Sequence, residues 1–479
     1  MHSPSGSHGR NLAIMVTAEA VQKVFTLALF VLVSRALSVE ENGRYALFIT
    51  MVPFMTVWIN MGMYDVAVRD IAREPSAAGR FAGSAWLPQA VLCAVTLALM
   101  PLLSLHAGTA LLVIGPCVGL AATLGRMCFA PFAAAGCFGP LSLTLIFLRA
   151  FTLALSALAL WTGGGALGLA IALLAAHLLW MLFGAVWARR DFALRWRMPD
   201  RPTVRHLLLH GAPIAAGGLF ATLFFSMDLP LLAVHATPED MGYYSIGARF
   251  LWMLFPLVEI LGSVIYPVLS RKTGGRDEGF ALGRVFRAAW LLGLPLAVGG
   301  MVLARPITVL LAGGKFLPGA YAVGGLTAVL GLFLLSSVAT VHLRAQGRQM
   351  VATVVMAAAC AAKALVMLAA DGQGMALVAA NLGIGAAIAV LLCISAARRM
   401  TDFSWREAAG ALLRAAAAAV VMGLALWPLR EFTPFLGIPV GAGVYLAAVL
   451  ALGAVDAWDR ALVRAAWRRP GSERTNVNR

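Results

Sequence analysis

Apolar residues fall in long unbroken stretches, at about 13–34, 45–67, 84–106, 109–130, 141–162, 165–188, 208–234, 243–268, 288–311, 322–342, 351–370, 374–396, 409–428 and 435–455. Each of these fourteen stretches is close to the roughly 20 residues that a helix needs to cross a bilayer. The alternation of apolar and polar residues that marks a membrane-spanning strand is missing, so the stretches predict helices. Connections between them are short, and no large extramembrane domain is expected. The first stretch is too long for a signal-peptide core and has no clear small-residue cleavage site, so it is expected to be retained as the first helix.

The pattern repeats at an offset of about 200 residues. Leu37-Ser-Val-Glu-Glu-Asn-Gly-Arg-Tyr-Ala46 follows the first stretch, and Ala236-Thr-Pro-Glu-Asp-Met-Gly-Tyr-Tyr-Ser245 follows the seventh. Gly165-Ala-Leu-Gly168 opens a stretch that ends in Arg189-Arg190, and Gly372-Gln-Gly374 opens one that ends in Arg398-Arg399. An even number of helices separates the copies, which predicts two six-helix lobes in the same orientation, 1–200 and 201–400, in a pseudo-twofold repeat. Residues 401–479 then hold helices 13 and 14 and a basic tail. Lobes of this kind around a midplane cavity are transporter architecture.

Charge supplies the orientation. With the N-terminus inside and fourteen helices between the ends, 26 of the 37 basic residues fall in cytoplasmic segments. Only Arg35, Arg44, Lys315 and Arg430 fall outside, and an odd helix count would invert half of the loops. Both termini are therefore expected inside. Of the 479 residues 61% are apolar and 12% charged, about half of the roughly 25% charge of a soluble protein. That excludes a soluble enzyme, a disordered chain and a secreted disulfide scaffold. The net charge of +16 reads as loop arginine rather than a nucleic-acid surface, and no nucleic-acid partner is expected. The six cysteines lie in or beside apolar runs and form no CxxC or Cys/His cluster; they read as small core residues.

Seven basic residues, Lys23, Arg126, Arg149, Arg249, Arg305, Lys363 and Arg414, lie within or at the ends of the stretches. A charge in hydrocarbon is costly unless it faces water or a partner, so each is a functional candidate. Glu19 and Lys23 are spaced i,i+4 and can pair, either as a neutralised structural pair or as cavity groups. Asp65 and Arg126 read equally well as groups that snorkel to the cytoplasmic face. For Lys363 an interfacial position is the favoured reading. Arg249 and Arg149 sit deeper and read as cavity-facing; an arginine there can hold a phosphate by its bidentate fork. Asp228 and Glu259 are candidates for cation coupling, because the protonation of a buried carboxylate responds to desolvation and to nearby arginine. The charges concentrate in the first, second, seventh and eighth stretches, which points to a hydrated cavity among those four. Pro53, Pro88, Pro213, Pro230, Pro256 and Pro295 interrupt predicted spans, either as hinges or as tolerated structural kinks. Catalytic motifs such as HExxH, a P-loop or GxSxG are absent, so the chain reads as a transporter rather than an enzyme.

Arg35-Ala-Leu-Ser-Val-Glu-Glu-Asn-Gly-Arg-Tyr45 resembles the first outer turn of bacterial polysaccharide-repeat flippases, which handle O-antigen, capsule or exopolysaccharide units. Those proteins belong to the multidrug/oligosaccharidyl-lipid/polysaccharide (MOP) exporter superfamily. Asn60-Met-Gly-Met-Tyr64 with Val68-Arg-Asp-Ile-Ala-Arg73, Met227-Asp-Leu229 through Tyr244, Gly314-Lys-Phe316 and Ala345-Gln-Gly-Arg348 resemble later landmarks in order and spacing. Ala134-Ala-Gly-Cys137 matches weakly, and lysine is rare throughout.

The resemblance implies a bacterial inner-membrane flippase that moves a polyprenyl-diphosphate-linked oligosaccharide, of the undecaprenyl type, from the cytoplasmic to the periplasmic leaflet. It implies a cavity of helices one, two, seven and eight, membrane lipid as a partner, and a polysaccharide polymerase and glycosyltransferases in the same pathway. On that footing Arg249, Arg149 and Lys23 are the expected diphosphate residues, and Asp228, Glu259 and Glu19 the ion-coupling candidates. No cofactor is expected, and proton or Na+ coupling is left open. The alternatives are a multidrug or toxin cation antiporter of the same superfamily, a lipid II flippase, and a membrane-embedded enzyme of glycan assembly. The first would want an acidic, aromatic cavity; the last would want catalytic loops.

Overall fold

The computed structural model describes residues 5–100, 109–192, 198–256, 258, 276–346, 348–369, 373–397, 405–431 and 434–454. In chain order the helices are α1 (Ser5–Ala36), α2 (Val39–Asn60), α3 (Met63–Arg73), α4 (Ala78–Leu99), α5 (Thr109–Ala134), α6 (Phe138–Trp161), α7 (Gly165–Phe192) and α8 (Arg201–Ser226). There follow α9 (Asp228–Leu232), α10 (Pro238–Leu254), α11 (Arg276–Val302), α12 (Ala304–Ala312), α13 (Ala320–Ala345), α14 (Gln349–Ala369), α15 (Gly374–Ala397), α16 (Trp405–Leu426) and α17 (Pro434–Ala451). The described part of each of the fourteen predicted stretches lies mainly on helix. Among the described residues ten helices are long and apolar enough to cross a membrane, or eleven if α2 and α3 form one bent span, and Met350–Val366 is a shorter apolar helix.

Stretches that read as continuous are broken: 288–311 at Leu303, between α11 and α12, and two more beside the site. The 45–67 stretch bends by 48° between α2 and α3. Met61 and Gly62 take the left-handed conformation there, and the Met61 N–H closes α2 by bonding to the Val57 carbonyl. Glycine is required at 62 twice over: its φ is +70°, and a Cβ would overlap the Gly211 carbonyl of α8. The 208–234 stretch breaks at Met227, between α8 and α9. Pro230 lies four residues after Ser226, so the Ser226 carbonyl has no N–H to meet and the helix cannot run through.

Contacts divide the chain into two compact units: Met1–Met253 with Thr308–Leu326 and Ala352–Ile384, and Leu254–Ile307 with Thr327–Val351 and Gly385–Arg479. In the first, α5 packs on α7, α2 and α4, α6 on α1 and α7, and α8 on α2, α3 and α4. Phe48, Val118, Leu169 and Leu173 form one buried cluster, and Met63, Phe129, Phe132, Trp180 and Leu207 another. The C-terminus of α1 is tied down by cations, as its negative dipole end favours. Lys315 donates to the Arg35 and Leu37 carbonyls, and Arg35 donates to the Leu310 carbonyl at 2.8 Å.

In the second unit α11, α16 and α17 pack together. The end of α17 is capped from two sides: Arg414 donates to the Gly453 carbonyl at 3.1 Å and Arg287 to the Ala454 carbonyl at 2.9 Å. Tyr445 of α17 donates to the Leu291 carbonyl of α11 at 3.0 Å. Leu413, Leu424 and Leu446 are exposed apolar side chains of this group, suited to lipid.

Candidate substrate site

The repeated outer turns are helix N-caps. Ser38 accepts from the Glu41 N–H at 3.1 Å at the start of α2. At the start of α10 Thr237 and Asp240 cap each other reciprocally, both backbone bonds at 3.2 Å. The glycine that each copy places in its first turn lets α2 and α10 cross backbone to backbone: a Cβ on Gly43 would overlap the Pro238 carbonyl, and one on Gly242 the Val39 carbonyl. This contact sets the facing side chains one turn further in.

There Arg249 of α10 reaches α1 and α2. Its guanidinium carbon lies 5.8 Å from the Phe30 ring centroid and 5.5 Å from that of Tyr45, within cation–π range. Nη1 donates to the Asn42 Oδ1 at 3.1 Å, whereas Nη2 is buried with no hydrogen-bond partner. Asn42 is itself fully buried and fixed, donating to Ser245 Oγ at 3.1 Å, which in turn donates to the Gly242 carbonyl at 2.8 Å. Among the described residues no carboxylate pairs with Arg249. A guanidinium has five donors in a planar fork, and here only one edge is used. The arrangement suits an anion with several oxygens.

Asp228 opens α9 at the break after α8. Tyr244 Oη donates to its Oδ2 at 2.5 Å, and Asn381 Nδ2 of α15 donates to the same oxygen at 3.0 Å. Lys363 of α14 forms an ion pair with Oδ1 and donates to the Phe224 carbonyl at 3.2 Å. Lys363 is 4% exposed and Asp228 14%. The interfacial position favoured for Lys363 on sequence grounds is therefore not where it lies: its buried ammonium is turned onto a carboxylate 135 residues back in the chain.

The other expected residues lie apart from these two groups. Glu19 and Lys23 form an ion pair on α1 at 3.3 Å, 56% and 40% exposed. Arg149, midway along α6, has an exposed side chain, with Glu19 and His177 in electrostatic range. Glu259 lies outside the described residues. Arg126 covers the Tyr64 ring at 4.8 Å. At the far end of α3, Asp70 accepts from Arg69 Nε at 2.8 Å and lies 2.7 Å from His206 Nε2 of α8. The Arg69 guanidinium, with His206 on the other oxygen, holds the Asp70 carboxyl below the ordinary carboxylate range.

Asn42, Ser245, Asn381 and the two tyrosines carry the polar geometry, and sequence reasoning passed over them. Tyr45 and Tyr244 are 199 residues apart, at the same place in the two copies of the repeat. Asn381 is an amide inside the apolar run 374–396. Both signals were in the sequence, but neither residue is charged.

The fold is that of MOP-superfamily transporters. The structure titled "Lipid II flippase MurJ, inward closed conformation" matches with a TM-score of 0.75 at 16% identity, over 94% of this chain and 100% of that one. An inward-facing multidrug resistance MATE family transporter of the superfamily matches at 0.62 and 14% identity, over 79% and 95%. A MOP superfamily transporter from Pyrococcus furiosus, described as having a binding pocket of reverse polarity, matches at 0.52 and 15% identity, over 81% and 94%. No curated protein sequence matches the chain. Residues 8–272 match the family model described as polysaccharide biosynthesis protein. The chain belongs to that family, and it is a multi-pass membrane protein.

Proposed function

We propose that the chain is a flippase that carries a polyprenyl-diphosphate-linked oligosaccharide from the cytoplasmic to the periplasmic leaflet of a bacterial inner membrane, for surface polysaccharide assembly. The observation that carries the reading is Arg249, a cation inside the helix bundle with no carboxylate partner among the described residues and a buried Nη2 that bonds to nothing. A diphosphate supplies both the missing charge and the missing acceptor. Arg149 and Lys23 are assigned to the outer part of the same headgroup, with the sugars in the water-filled lumen and the lipid tail left in hydrocarbon. Rocking of two lobes, with both chain ends inside, exposes the headgroup to the other leaflet. The reading needs no resident cofactor, and the pathway's glycosyltransferases and polymerase stand on either side of the step.

A lipid II substrate is the second reading, favoured by the fold match to MurJ. Both lipids present the same diphosphate, so the same arginine serves either. A cation antiporter is disfavoured, since the buried charge left without a carboxylate among the described residues, that of Arg249, is positive. The test is a leaflet-orientation assay in proteoliposomes with labelled polyprenyl-diphosphate oligosaccharide and, in parallel, labelled lipid II, each with and without an imposed proton or Na+ gradient. Transfer of the oligosaccharide lipid above protein-free vesicles supports the proposal. Transfer of lipid II alone supports the second reading, and cation efflux with no lipid transfer overturns both.

A further inference from the structure

The break between α8 and α9 exposes a set of oxygens inside the membrane. The last carbonyls of α8 lie at a helix end, where the Met227 N–H bonds to the Leu223 carbonyl and the Lys363 ammonium to the Phe224 carbonyl. They form the negative end of a 26-residue helix. Two residues beyond the last turn of α8 stands the Asp228 carboxylate, with the Tyr244 hydroxyl and the Asn381 amide fixed against it. A carboxylate, a helix-end carbonyl and a hydroxyl are hard oxygen donors of the kind that a small cation takes, and the Asn381 N–H fixes two of them. The Lys363 ammonium sits among them, on Asp228 and on the Phe224 carbonyl.

We propose that this is a monovalent-cation site whose cation is built into the chain: Lys363 holds permanently the place that a free Na+ would otherwise take. Two observations favour this over a casual ion pair. Lys363 is directed at a main-chain carbonyl as well as at the carboxylate, so it answers the helix end and the side chain together. The remaining polar groups are already oriented around Asp228 by bonds to one another, Asn381 Nδ2 lying 3.2 Å from the Tyr244 hydroxyl. The consequence is specific. Asp228, an ion-coupling candidate from its position alone, does not exchange a free cation during the cycle, and any gradient coupling uses other groups. The inference concerns this network alone and stands or falls separately from the flippase reading.

The test is thermal unfolding of the purified full-length protein in detergent, in NaCl, methylammonium chloride or choline chloride at constant ionic strength. Wild type should unfold at one temperature in all three. Lys363→Ala should be less stable in choline, and NaCl or methylammonium should restore it, by about 2 °C for each tenfold increase in cation above its dissociation constant. The Asp228→Asn, Lys363→Ala double variant should show no cation dependence. If Lys363→Ala alone cannot be purified, the double variant should still be more stable than Asp228→Asn, which leaves a buried ammonium unpaired. Na+ stabilisation of wild type that disappears in Asp228→Asn overturns the proposal. So does a Lys363→Ala protein indifferent to both cations, or a double variant no more stable than Asp228→Asn.

Discussion

Arg249 and Lys363 are both cations inside the helices of one compact unit, yet they are treated in opposite ways. Lys363 is neutralised at close range by Asp228, and its charge is spent within the chain. Arg249 has two aromatic faces and one amide oxygen, none of which carries a full negative charge. The tyrosines of the sequence repeat take part in both arrangements: Tyr45 offers its ring to the arginine, while Tyr244 gives its hydroxyl proton to the carboxylate. One pseudo-equivalent position thus serves an open charge and a closed one. An ion pair that satisfies itself has nothing left for a ligand, whereas a buried guanidinium with a vacant edge gains from every acceptor that enters. On the proposed reading Arg249 is left for recognition and Lys363 for architecture; the sequence already sets Arg249 deeper than Lys363, but places Lys363 at an interface and not against a carboxylate.

The largest expected effect comes from removing the open charge. Arg249→Ala should lower lipid transfer by roughly 10- to 100-fold, the worth of one or two charge-assisted hydrogen bonds. Unfolding temperature and expression should hardly change, because no carboxylate is left behind. Arg249→Lys should recover part of the rate, having the charge without the fork. A variant that transfers lipid normally breaks the comparison on its ligand side.

The next test closes the open charge. Asn42→Asp places a carboxylate 3.1 Å or so from Nη1, where the amide oxygen now accepts, and gives Arg249 what Lys363 already has. Transfer should fall about 10-fold or more as the substituted carboxylate competes with phosphate, with stability unchanged or raised. Asn42→Ala should lose less, since it removes the bonds to Arg249 and Ser245 and adds no competitor. If Asn42→Asp transports as well as wild type, charge balance at Arg249 is not what the substrate reads.

A third variant addresses how the two arrangements are held in register. Gly242→Ala forces a methyl group into the Val39 carbonyl at the crossing of α2 and α10. It should cost about 1–3 kcal/mol as overpacking, read as a lower unfolding temperature. Transfer should decline as well, since Asn42 and Ser245 lie on either side of that crossing.

The helices were legible because a crossing helix must be apolar for its whole length, and nothing local conceals that. The break at Met61–Gly62 was not, since Gly62 needs Gly211 beside it; Pro230 marked the interruption near Met227, but not that Lys363 from a distant helix answers the α8 terminus. Arg249 and Asp228 could be singled out because a charge in hydrocarbon needs a reason. Which of the two was already neutralised could not, because the answer lies in a residue that follows Asp228 by more than a hundred positions. Asn42 escaped notice for a related reason: it precedes its stretch in an outer turn, and only the capped start of α2 carries it inside.

The smallest effect lies at the other end of α3, where charge is arranged in the closed manner but at the margin of the bundle. Asp70 bonds to Arg69 and His206, so it ties α3 to α8 across the Gly62–Gly211 contact. Arg69 is 44% exposed, and the link should be worth about 1 kcal/mol or less. Asp70→Asn should therefore lower the unfolding temperature by only about 1–2 °C. The sign of its pH dependence follows from the depressed carboxyl. A carboxylate held below its ordinary value of about 4 contributes fully above that pH and is lost only as pH falls through the lower folded value. The gap between wild type and Asp70→Asn should then persist from pH 8 down to about 5 and close in stronger acid. A gap that stays open in stronger acid would mean that the carboxylate is not what holds the two helices together, and that the closed arrangement at this end rests on the glycine contact alone.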